Sequence, residues 1–390
     1  MFLKSVVVLS LLVPVFAADT GGPAASLTVH EWGTFTSVAG ESGAPVPWVA
    51  LAAPSDLPCF VYRLGAQCVK CNATSRVRME TPVLYFYSSS PATASVHVDL
   101  PSGLITEWYP KAGGIPRDLT YGNSGQIDWG PFRILPAAAP SFPDDGRSSH
   151  YYAARNTASA VLDVDGEREK FLFYRGVADE GVFVQARWLA DGKLELRNTA
   201  PAPIPFAVLF ENREGRAGYR VVRDLRSSAA ILPPQPNADP ASLQRDLAAA
   251  LTEAGLFPKE AAAMVETWRD SWFEEGMRVF YILPRAAVDE VLPLKITPAP
   301  AALARVFVGR VEVLSPGVAE TLRAALASGD TSALARFSRF LDPFVARIGQ
   351  RSGVVIAPAA RAYLERTRAA LSRNRVAPCT EALPLATRQP

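Results

Sequence analysis

The chain of 390 residues contains only three histidines, which are His30, His97 and His150. Three imidazoles could hold a catalytic zinc ion and leave one coordination position open to water or substrate. The sequence has no H-E-x-x-H pattern, and His30-Glu31 belongs to a predicted strand, which excludes a zincin helix. The first hypothesis is therefore a shared zinc site. Its alternative is three unrelated histidines that lie at the surface or form separate hydrogen bonds.

Four glutamates lie inside or beside strongly apolar predicted strands, namely Glu31, Glu80, Glu107 and Glu211. Of these, Glu31, Glu80 and Glu211 are the candidate catalytic groups. A buried carboxylate must be paired or must shift its pKa, and such carboxylates cluster at working sites. Two of them could act as the acid and the base of glycoside hydrolysis, and Glu31 or Glu80 could be the general base of a zinc-dependent reaction. The alternative is structural pairing with Arg78, Arg175 or another arginine.

The four cysteines, Cys59, Cys68, Cys71 and Cys379, form an even set. In an oxidising compartment an even number favours disulfides, and four cysteines allow three pairings among which the sequence does not choose. Cys68 and Cys71 also form a C-x-x-C pair, but Asn72 follows where a c-type haem site needs histidine. Thiol-redox catalysis and a zinc-thiolate site are the alternatives to structural disulfides.

Residues 1–17 are typical of a secretory signal peptide. Lys4 supplies a positive charge, an uncharged run from Ser5 to Phe16 follows, and Ala17 is a small residue at the expected cut. We expect cleavage after Ala17, with Ala18 as the alternative. The apolar run is shorter than the ~20 residues that a spanning helix needs, and no later run approaches that length. The expected location is therefore the periplasm or the extracellular space, with no transmembrane segment after cleavage.

The charge of the chain is close to balanced. The formal net charge is +2, and loss of Lys4 with the signal peptide lowers it to about +1. Nucleic-acid-binding proteins usually carry a basic excess or a basic stripe, so nucleic acid is excluded as a partner. Proline occurs 33 times, and because proline is excluded from central strands and helix interiors the chain must be rich in loops.

Residues 27–228 are predicted to form an antiparallel β-sandwich, which makes the fold mainly β. Short apolar or alternating runs follow one another, and residues 95–100 alternate strictly between polar and apolar side chains. Asp165-Gly166 and Asp191-Gly192 lie between such runs and predict hairpin turns. Many short strands with frequent turn signals indicate two packed antiparallel sheets, with functional loops at their ends.

A proline-rich stretch at residues 229–240 predicts a stiff linker between two domains. Residues 241–375 are predicted to form a smaller α+β domain that is mostly helical, and residues 376–390 a tail. Asp239-Pro240 provides an N-cap and a first-turn proline for its first helix. The second helix has a core-facing stripe at a spacing of four residues, formed by Met264, Trp268 and Trp272.

Three strings of residues resemble the motifs of an uncharacterised family of exported proteins from soil and aquatic bacteria. The first is HEWGTFTSV at residues 30–38, the second is RMETPVLYFY at residues 78–87, and the third is TWRDSWF at residues 267–273, followed by residues 278–284. Together the strings span most of the chain after the signal peptide. The resemblance implies no reaction.

We therefore expect an exported binding or accessory protein of the cell envelope or extracellular space, with a polysaccharide or an envelope protein as partner. The alternative is a metal- or carboxylate-dependent hydrolase of an extracellular or envelope polymer, for which a divalent, zinc-like metal would be the cofactor. A third hypothesis is a thiol-redox protein that uses Cys68 and Cys71.

Overall fold

The computed structural model describes residues 26–50, 57–64, 74–115, 125–139, 141–351, 353–372, 379 and 385–386. The predicted signal peptide, Cys68, Cys71 and most of the predicted tail lie outside these ranges. No helix within them is both long enough and apolar enough to cross a membrane.

Strands dominate the part of the chain that the structure describes. In chain order they are β1 (Thr28–Val38), β2 (Tyr62–Arg63), β3 (Val77–Tyr87), β4 (Ala92–Leu100), β5 (Gly103–Tyr109), β6 (Gly125–Leu135), β7 (Phe142–Pro143), β8 (Val161–Val164), β9 (Glu167–Glu169), β10 (Leu172–Ala178), β11 (Val184–Trp188), β12 (Leu194–Asn198), β13 (Ile204–Arg213), β14 (Arg216–Leu225), β15 (Ser228–Ile231), β16 (Gly276–Ile282), β17 (Leu294–Thr297), β18 (Ala302–Val313) and β19 (Leu385–Ala386).

The helices lie mainly in the C-terminal region. They are α1 (Pro240–Glu253), α2 (Pro258–Trp272), α3 (Arg285–Val291), α4 (Pro316–Ser328), α5 (Thr331–Ala335), α6 (Leu341–Arg351) and α7 (Pro358–Ser372), with 3₁₀ helices at His150–Arg155 and Ser338–Phe340. The side chain of Asp239 accepts a hydrogen bond from the Ala241 amide, so the predicted N-cap of the first helix is confirmed. The prediction of a mainly β protein with a helical C-terminal region is also confirmed.

The largest sheet has nine strands in the order β14-β13-β16-β18-β1-β3-β10-β5-β2. Its centre is β1, which pairs in parallel with β18 and antiparallel with β3. Strands β16 and β18 come from the predicted C-terminal domain, yet they lie between β13 and β1. A division into two domains at residues 229–240 is therefore not confirmed, because backbone hydrogen bonds join strands from both sides of it.

The proline-rich stretch packs along the edge of the nine-stranded sheet. The Ala238 amide donates to the Ala217 carbonyl at 2.9 Å, and Arg220 donates to the Pro233 carbonyl at 3.2 Å. A Cβ atom on Gly218 would lie 2.1 Å from the Gln235 carbonyl oxygen, so only glycine allows this approach. Proline has no backbone N–H and cannot take part in a full strand ladder. It is tolerated here because the segment lies at the edge of the sheet, where the ladder ends. The stretch covers edge strand β14 and is part of the fold.

The smaller sheets cover one side of the nine-stranded sheet. They have the orders β17-β4-β6-β8-β9 and β11-β12-β15, and a two-stranded ladder joins β19 to β7. The largest apolar cluster joins residues of these sheets with the nine-stranded sheet, and the ring of Phe86 meets that of Phe132 edge-on at 5.2 Å. The alternation predicted for β4 is confirmed, because its apolar residues are buried in this cluster. The face of the nine-stranded sheet toward this cluster is called the inner face below.

The opposite face of the nine-stranded sheet is covered by helices and is called the helix face below. Helices α1 and α2 cover one part of it, and the Trp272 ring lies 5.2 Å from that of Phe280. The predicted core stripe on α2 is confirmed, because Met264, Trp268 and Trp272 are all buried. A third cluster joins the end of β1 and Trp48 to α4, α5, α6 and α7. Two separate groups of helices therefore cover the helix face.

Both predicted hairpin turns are confirmed. Asp165 and Gly166 have φ values of 50° and 90° and connect β8 to β9. Gly192 has a φ of 79° between β11 and β12, which pair antiparallel. Residues at such turns need the left-handed backbone region, which glycine and aspartate tolerate better than most residues.

Candidate functional site

His30 lies on the helix face near the start of β1 and is almost fully buried. Its Nδ1 atom is 2.7 Å from Oε2 of Glu260, which is itself fully buried in the first turn of α2. The Tyr87 hydroxyl donates to the other oxygen of Glu260 at 2.7 Å, and the His30 ring packs against Phe257 at 4.4 Å. These contacts tie β1 and β3 to the start of α2.

The other two histidines have separate acidic partners. His97, on the outer side of the five-stranded sheet, lies 2.6 Å from Asp128 and 3.1 Å from Asp99. His150 lies 3.2 Å from Asp270 on α2. Within the described ranges, no group of three or more His, Cys, Asp or Glu side chains is arranged to hold a metal ion. The structure therefore does not bring the three histidines together in the shared zinc site that the sequence suggested.

Glu31 forms a buried ion pair on the inner face of β1. Its Oε2 atom accepts a hydrogen bond from Nε of Arg305 at 2.6 Å, and its Oε1 atom accepts one from the Tyr174 hydroxyl at 2.5 Å. Arg305 also contacts Asp289 at 2.7 Å and the Leu292 carbonyl at 2.8 Å. Both oxygens of Glu31 are thus occupied, which is the structural pairing that the sequence analysis gave as its alternative.

Glu80 lies on the helix face of β3 and is held by cations. Arg339 contacts its Oε1 atom, and the Thr36 hydroxyl donates to its Oε2 atom at 2.6 Å. Arg78 Nε lies 3.3 Å from Oε1. Burial alone would raise the pKa of this carboxyl, but Arg339 and Arg78 outweigh burial and lower the pKa to about 2. A carboxylate of such low basicity is a poor general base near neutral pH.

Glu80 belongs to a larger set of charges on the helix face, here called the charged band. The band lies between the apolar cluster under α1 and α2 and the cluster under α4 to α7. Its arginines are Arg78, Arg175, Arg278, Arg310 and Arg339, and its carboxylates are Glu80, Glu107, Glu274 and Glu312. The buried members are Arg78, Arg175, Arg278, Arg310, Glu80 and Glu312. Burying so many charges is more costly than an apolar core and is a feature of functional sites as well as of structural networks.

Strand pairing assembles the part of the band on β16 and β18. Arg278 and Glu312 are directly opposite each other, with Nε of Arg278 2.9 Å from Oε1 of Glu312. Arg310 contacts the same oxygen at 2.6 Å and reaches Glu274, beyond the end of α2, at 2.7 Å. The sequence analysis did not select these arginines. The sequence feature that could have identified them is a pair of charged residues two positions apart within an otherwise apolar strand, such as Arg310 and Glu312 in β18.

Glu211 lines a surface cleft. A cavity of about 340 Å³ opens beside the β13–β14 hairpin, and its lining consists of Glu211, Arg213, Glu214, Arg216, Gly218, Pro234 and Pro236. Arg213 also borders a second cavity of about 370 Å³ between α4 and α5. Of the three predicted catalytic glutamates, Glu211 alone borders one of these cavities.

The environment of Glu211 raises the pKa of its carboxyl. Burial raises the pKa of the Glu211 carboxyl, Arg213 and the Ser315 hydroxyl oppose that effect, and Glu275 adds to it. The Ser315 hydroxyl lies 3.5 Å from Oε1 of Glu211 and also caps the N-terminus of α4. Glu275 is held by the Glu214 amide at 3.0 Å. The cleft thus combines a carboxyl of raised pKa with the guanidinium groups of Arg213 and Arg216 in its lining.

The cysteine prediction is confirmed in part. Cys59 and Cys379 form a disulfide that joins the segment before β2 to the C-terminal region. Cys68 and Cys71 lie outside the described residues, so the thiol-redox hypothesis stays a prediction.

No protein-family model matches this chain, and no curated protein matches it either. The family resemblance carried by the strings at residues 30–38, 78–87 and 267–273 therefore remains a prediction.

Proposed function

We propose that the protein is an exported binding protein that takes an acidic sugar unit of an envelope or extracellular polysaccharide in the cleft beside Glu211. The observation that carries the proposal is the combination of one carboxyl of raised pKa and two arginines in one cavity of about 340 Å³. This volume is at the lower end of the range for small-ligand sites, as a single sugar unit requires.

Each wall of the cleft suits one part of such a ligand. Arg213 and Arg216 offer planar guanidinium groups, which match the geometry of a sugar carboxylate. The protonated form of Glu211 donates a hydrogen bond to the ligand, and its ionised form accepts one from a sugar hydroxyl. Pro234 and Pro236 form an apolar side with little conformational freedom to lose on binding.

Calorimetric titration with an oligogalacturonate and with the neutral galactose oligomer of equal length tests the proposal. We expect binding of the acidic oligomer and at least tenfold weaker binding of the neutral one. Arg213→Ala and Arg216→Ala should each weaken binding at least tenfold, since a charged hydrogen bond contributes roughly 1.5–3 kcal/mol. The matched control is Arg226→Ala, because Arg226 is exposed, pairs with Asp224 and is outside the cavity. Equal binding of both oligomers, or equal loss in the control, would contradict the proposal.

One observation favours a hydrolase as the second candidate. The raised pKa of Glu211, with Glu275 near enough to add to it, is the relation expected of a general acid beside a second carboxylate. Release of reducing ends from an acidic polysaccharide tests this reading. Glu211→Gln should reduce that release by about 10²-fold or more if Glu211 is the general acid. Glu266→Gln is the control, because Glu266 is exposed on α2 and lies outside the cavity. Binding without any release supports the first candidate.

A further inference from the structure

Arg213, the last residue of β13, lies between two cavities. It borders both the cleft beside Glu211 and the second cavity of about 370 Å³ between α4 and α5. Its guanidinium lies against the first turn of α4, because a Cβ atom added to Gly317 would be 2.6 Å from Nη1 and 2.8 Å from Cζ of Arg213. The absence of a side chain on Gly317 leaves room for this approach. Arg213 is therefore placed to contact a ligand in either cavity.

A second set of contacts joins the walls of the two cavities. The mostly buried Glu275 accepts hydrogen bonds from the Glu214 amide at 3.0 and 3.2 Å, and its Oε1 atom lies 3.9 Å from Nη1 of Arg336. Glu214 lines the cleft, and Arg336 lines the second cavity. The two cavities are therefore neighbours on one surface of the molecule.

The second cavity has no surplus of positive charge. Its charged lining residues are two arginines and two carboxylates, namely Arg213, Arg336, Glu320 and Asp330. Glu275 adds a third carboxylate beside Arg336. A ligand carboxylate would therefore meet more carboxylates than guanidinium groups here, and such like charges are repelled. The second cavity thus favours a ligand unit that carries no negative charge.

The uncharged polar groups of the second cavity face a ligand as hydrogen-bond acceptors. The Thr321 hydroxyl donates to the Gly317 carbonyl at 3.1 Å, and the Ser328 hydroxyl donates to the Ala325 carbonyl at 3.5 Å. A hydroxyl has one hydrogen but two lone pairs, so both remain acceptors toward a ligand. Together with the carboxylates they match the hydroxyl groups of a neutral sugar, and alanine side chains in the lining match its apolar ring face.

We propose that the second cavity is a subsite for a neutral sugar unit that is linked to the acidic unit in the cleft beside Glu211. The inference rests on the proposed function, because the acidic unit has to occupy the cleft. Arg213 donates hydrogen bonds to both units near their linkage. The ligand is therefore an acidic heteropolysaccharide, in which acidic and neutral sugars are joined, and a polymer of acidic sugars alone fills only the cleft.

Calorimetric titration of the whole protein with short sugars tests this inference. The ligands are galacturonate, digalacturonate and the two mixed disaccharides, galacturonosyl-galactose and galactosyl-galacturonate. We expect one mixed disaccharide to bind about tenfold more tightly than galacturonate, since the second unit adds two or more hydrogen bonds. The order of units in the tighter disaccharide gives the direction of the polysaccharide chain across the two cavities. Digalacturonate should bind no more tightly than galacturonate.

Ala324→Phe blocks the second cavity, because Ala324 is exposed on α4 and lines it. On this variant the affinity for the mixed disaccharide should fall to the affinity for galacturonate. The matched control is Ala262→Phe, which makes the same change at an exposed position of α2 outside both cavities. This control should keep the preference of about tenfold for the mixed disaccharide.

The outcomes separate this inference from the proposed function. Equal binding of galacturonate and both mixed disaccharides, or tighter binding of digalacturonate than of either, would overturn the second subsite and leave the proposed function standing. An equal loss in Ala324→Phe and Ala262→Phe would also count against the subsite. If the protein binds none of the acidic sugars, the inference and the proposed function are both wrong.

Discussion

The Thr36 hydroxyl on β1 donates a hydrogen bond of 2.6 Å to Oε2 of Glu80 on the neighbouring strand β3. The two residues belong to the first and second sequence strings, and both are buried. Their contact places the carboxylate on the helix face, where Arg78 and Arg339 hold it ionised. Glu80 is therefore the counter-charge of two arginines of the charged band, and its removal tests how much this pairing contributes to stability.

Glu80→Gln is expected to lower the free energy of unfolding by about 3–5 kcal/mol, because removal of one partner leaves buried arginines without their counter-charge. Urea unfolding followed by circular dichroism measures this change. Glu266→Gln is the control, since Glu266 is exposed on α2 and pairs with the exposed Arg269. A loss below about 1 kcal/mol for Glu80→Gln would show that the band relaxes around the missing charge.

His97 should make stability depend on pH. A hydrogen bond to Asp128 raises the pKa of His97, burial lowers it to a lesser degree, and Asp99 raises it further. Because the folded pKa exceeds the unfolded one, the stabilisation is fully present below about pH 6.5 and is lost as pH rises through the folded pKa. The site is about one third exposed, so the contribution is less than about 1 kcal/mol.

His97→Gln should therefore lower the free energy of unfolding at pH 5.5 and leave it almost unchanged at pH 9. Unfolding by urea at the two pH values measures both differences. Ser95→Ala, on the same side of the same strand, controls for the substitution itself. A loss of the same size at both pH values would mean that the effect does not come from the charge on His97.

The disulfide closes a very long loop, because Cys59 and Cys379 are separated by 320 positions in the sequence. We expect the double substitution Cys59→Ala and Cys379→Ala to lower the free energy of unfolding by about 2–4 kcal/mol, chiefly because the unfolded chain regains freedom. Guanidinium unfolding measures the change, and the unchanged protein under reducing conditions is the comparison. Peptide mapping without reduction should recover the segments around Cys59 and Cys379 as one linked pair.

Gly309 makes room for an aromatic ring in the centre of the sheet. A Cβ atom at this position of β18 would lie 2.0 Å from Cζ of Tyr281, which is directly opposite on β16. The Tyr281 hydroxyl also accepts a hydrogen bond from the Phe183 amide at 2.9 Å. Gly309→Ala is therefore expected to cost about 1–3 kcal/mol of stability through the displaced ring.

The control for this substitution is Gly130→Ala, because a Cβ on Gly130 would meet nothing within 4 Å. Thermal unfolding compares the two variants. Similar melting temperatures for both would show that the Tyr281 ring moves at little cost.

Local patterns predicted the local features well. The alternation at residues 95–100, the Asp165-Gly166 turn and the Asp239 N-cap each depend on a few neighbouring residues, and the structure confirms each of them. The proline-rich stretch was interpreted as a stiff linker between two domains, whereas its position along edge strand β14 is identified only by the sheet order. Whether a proline segment connects domains or covers an edge depends on what lies beside it.

The sequence by itself determined the mainly β content, the helical C-terminal region and the burial of Glu31 and Glu80. The tertiary structure decided the partners: Arg305 for Glu31, Arg339 for Glu80, and separate carboxylates for the three histidines. The physical reason is distance along the chain. Backbone pattern and burial arise from neighbours, whereas an ion pair between residues more than 200 positions apart exists only once the sheet order is set.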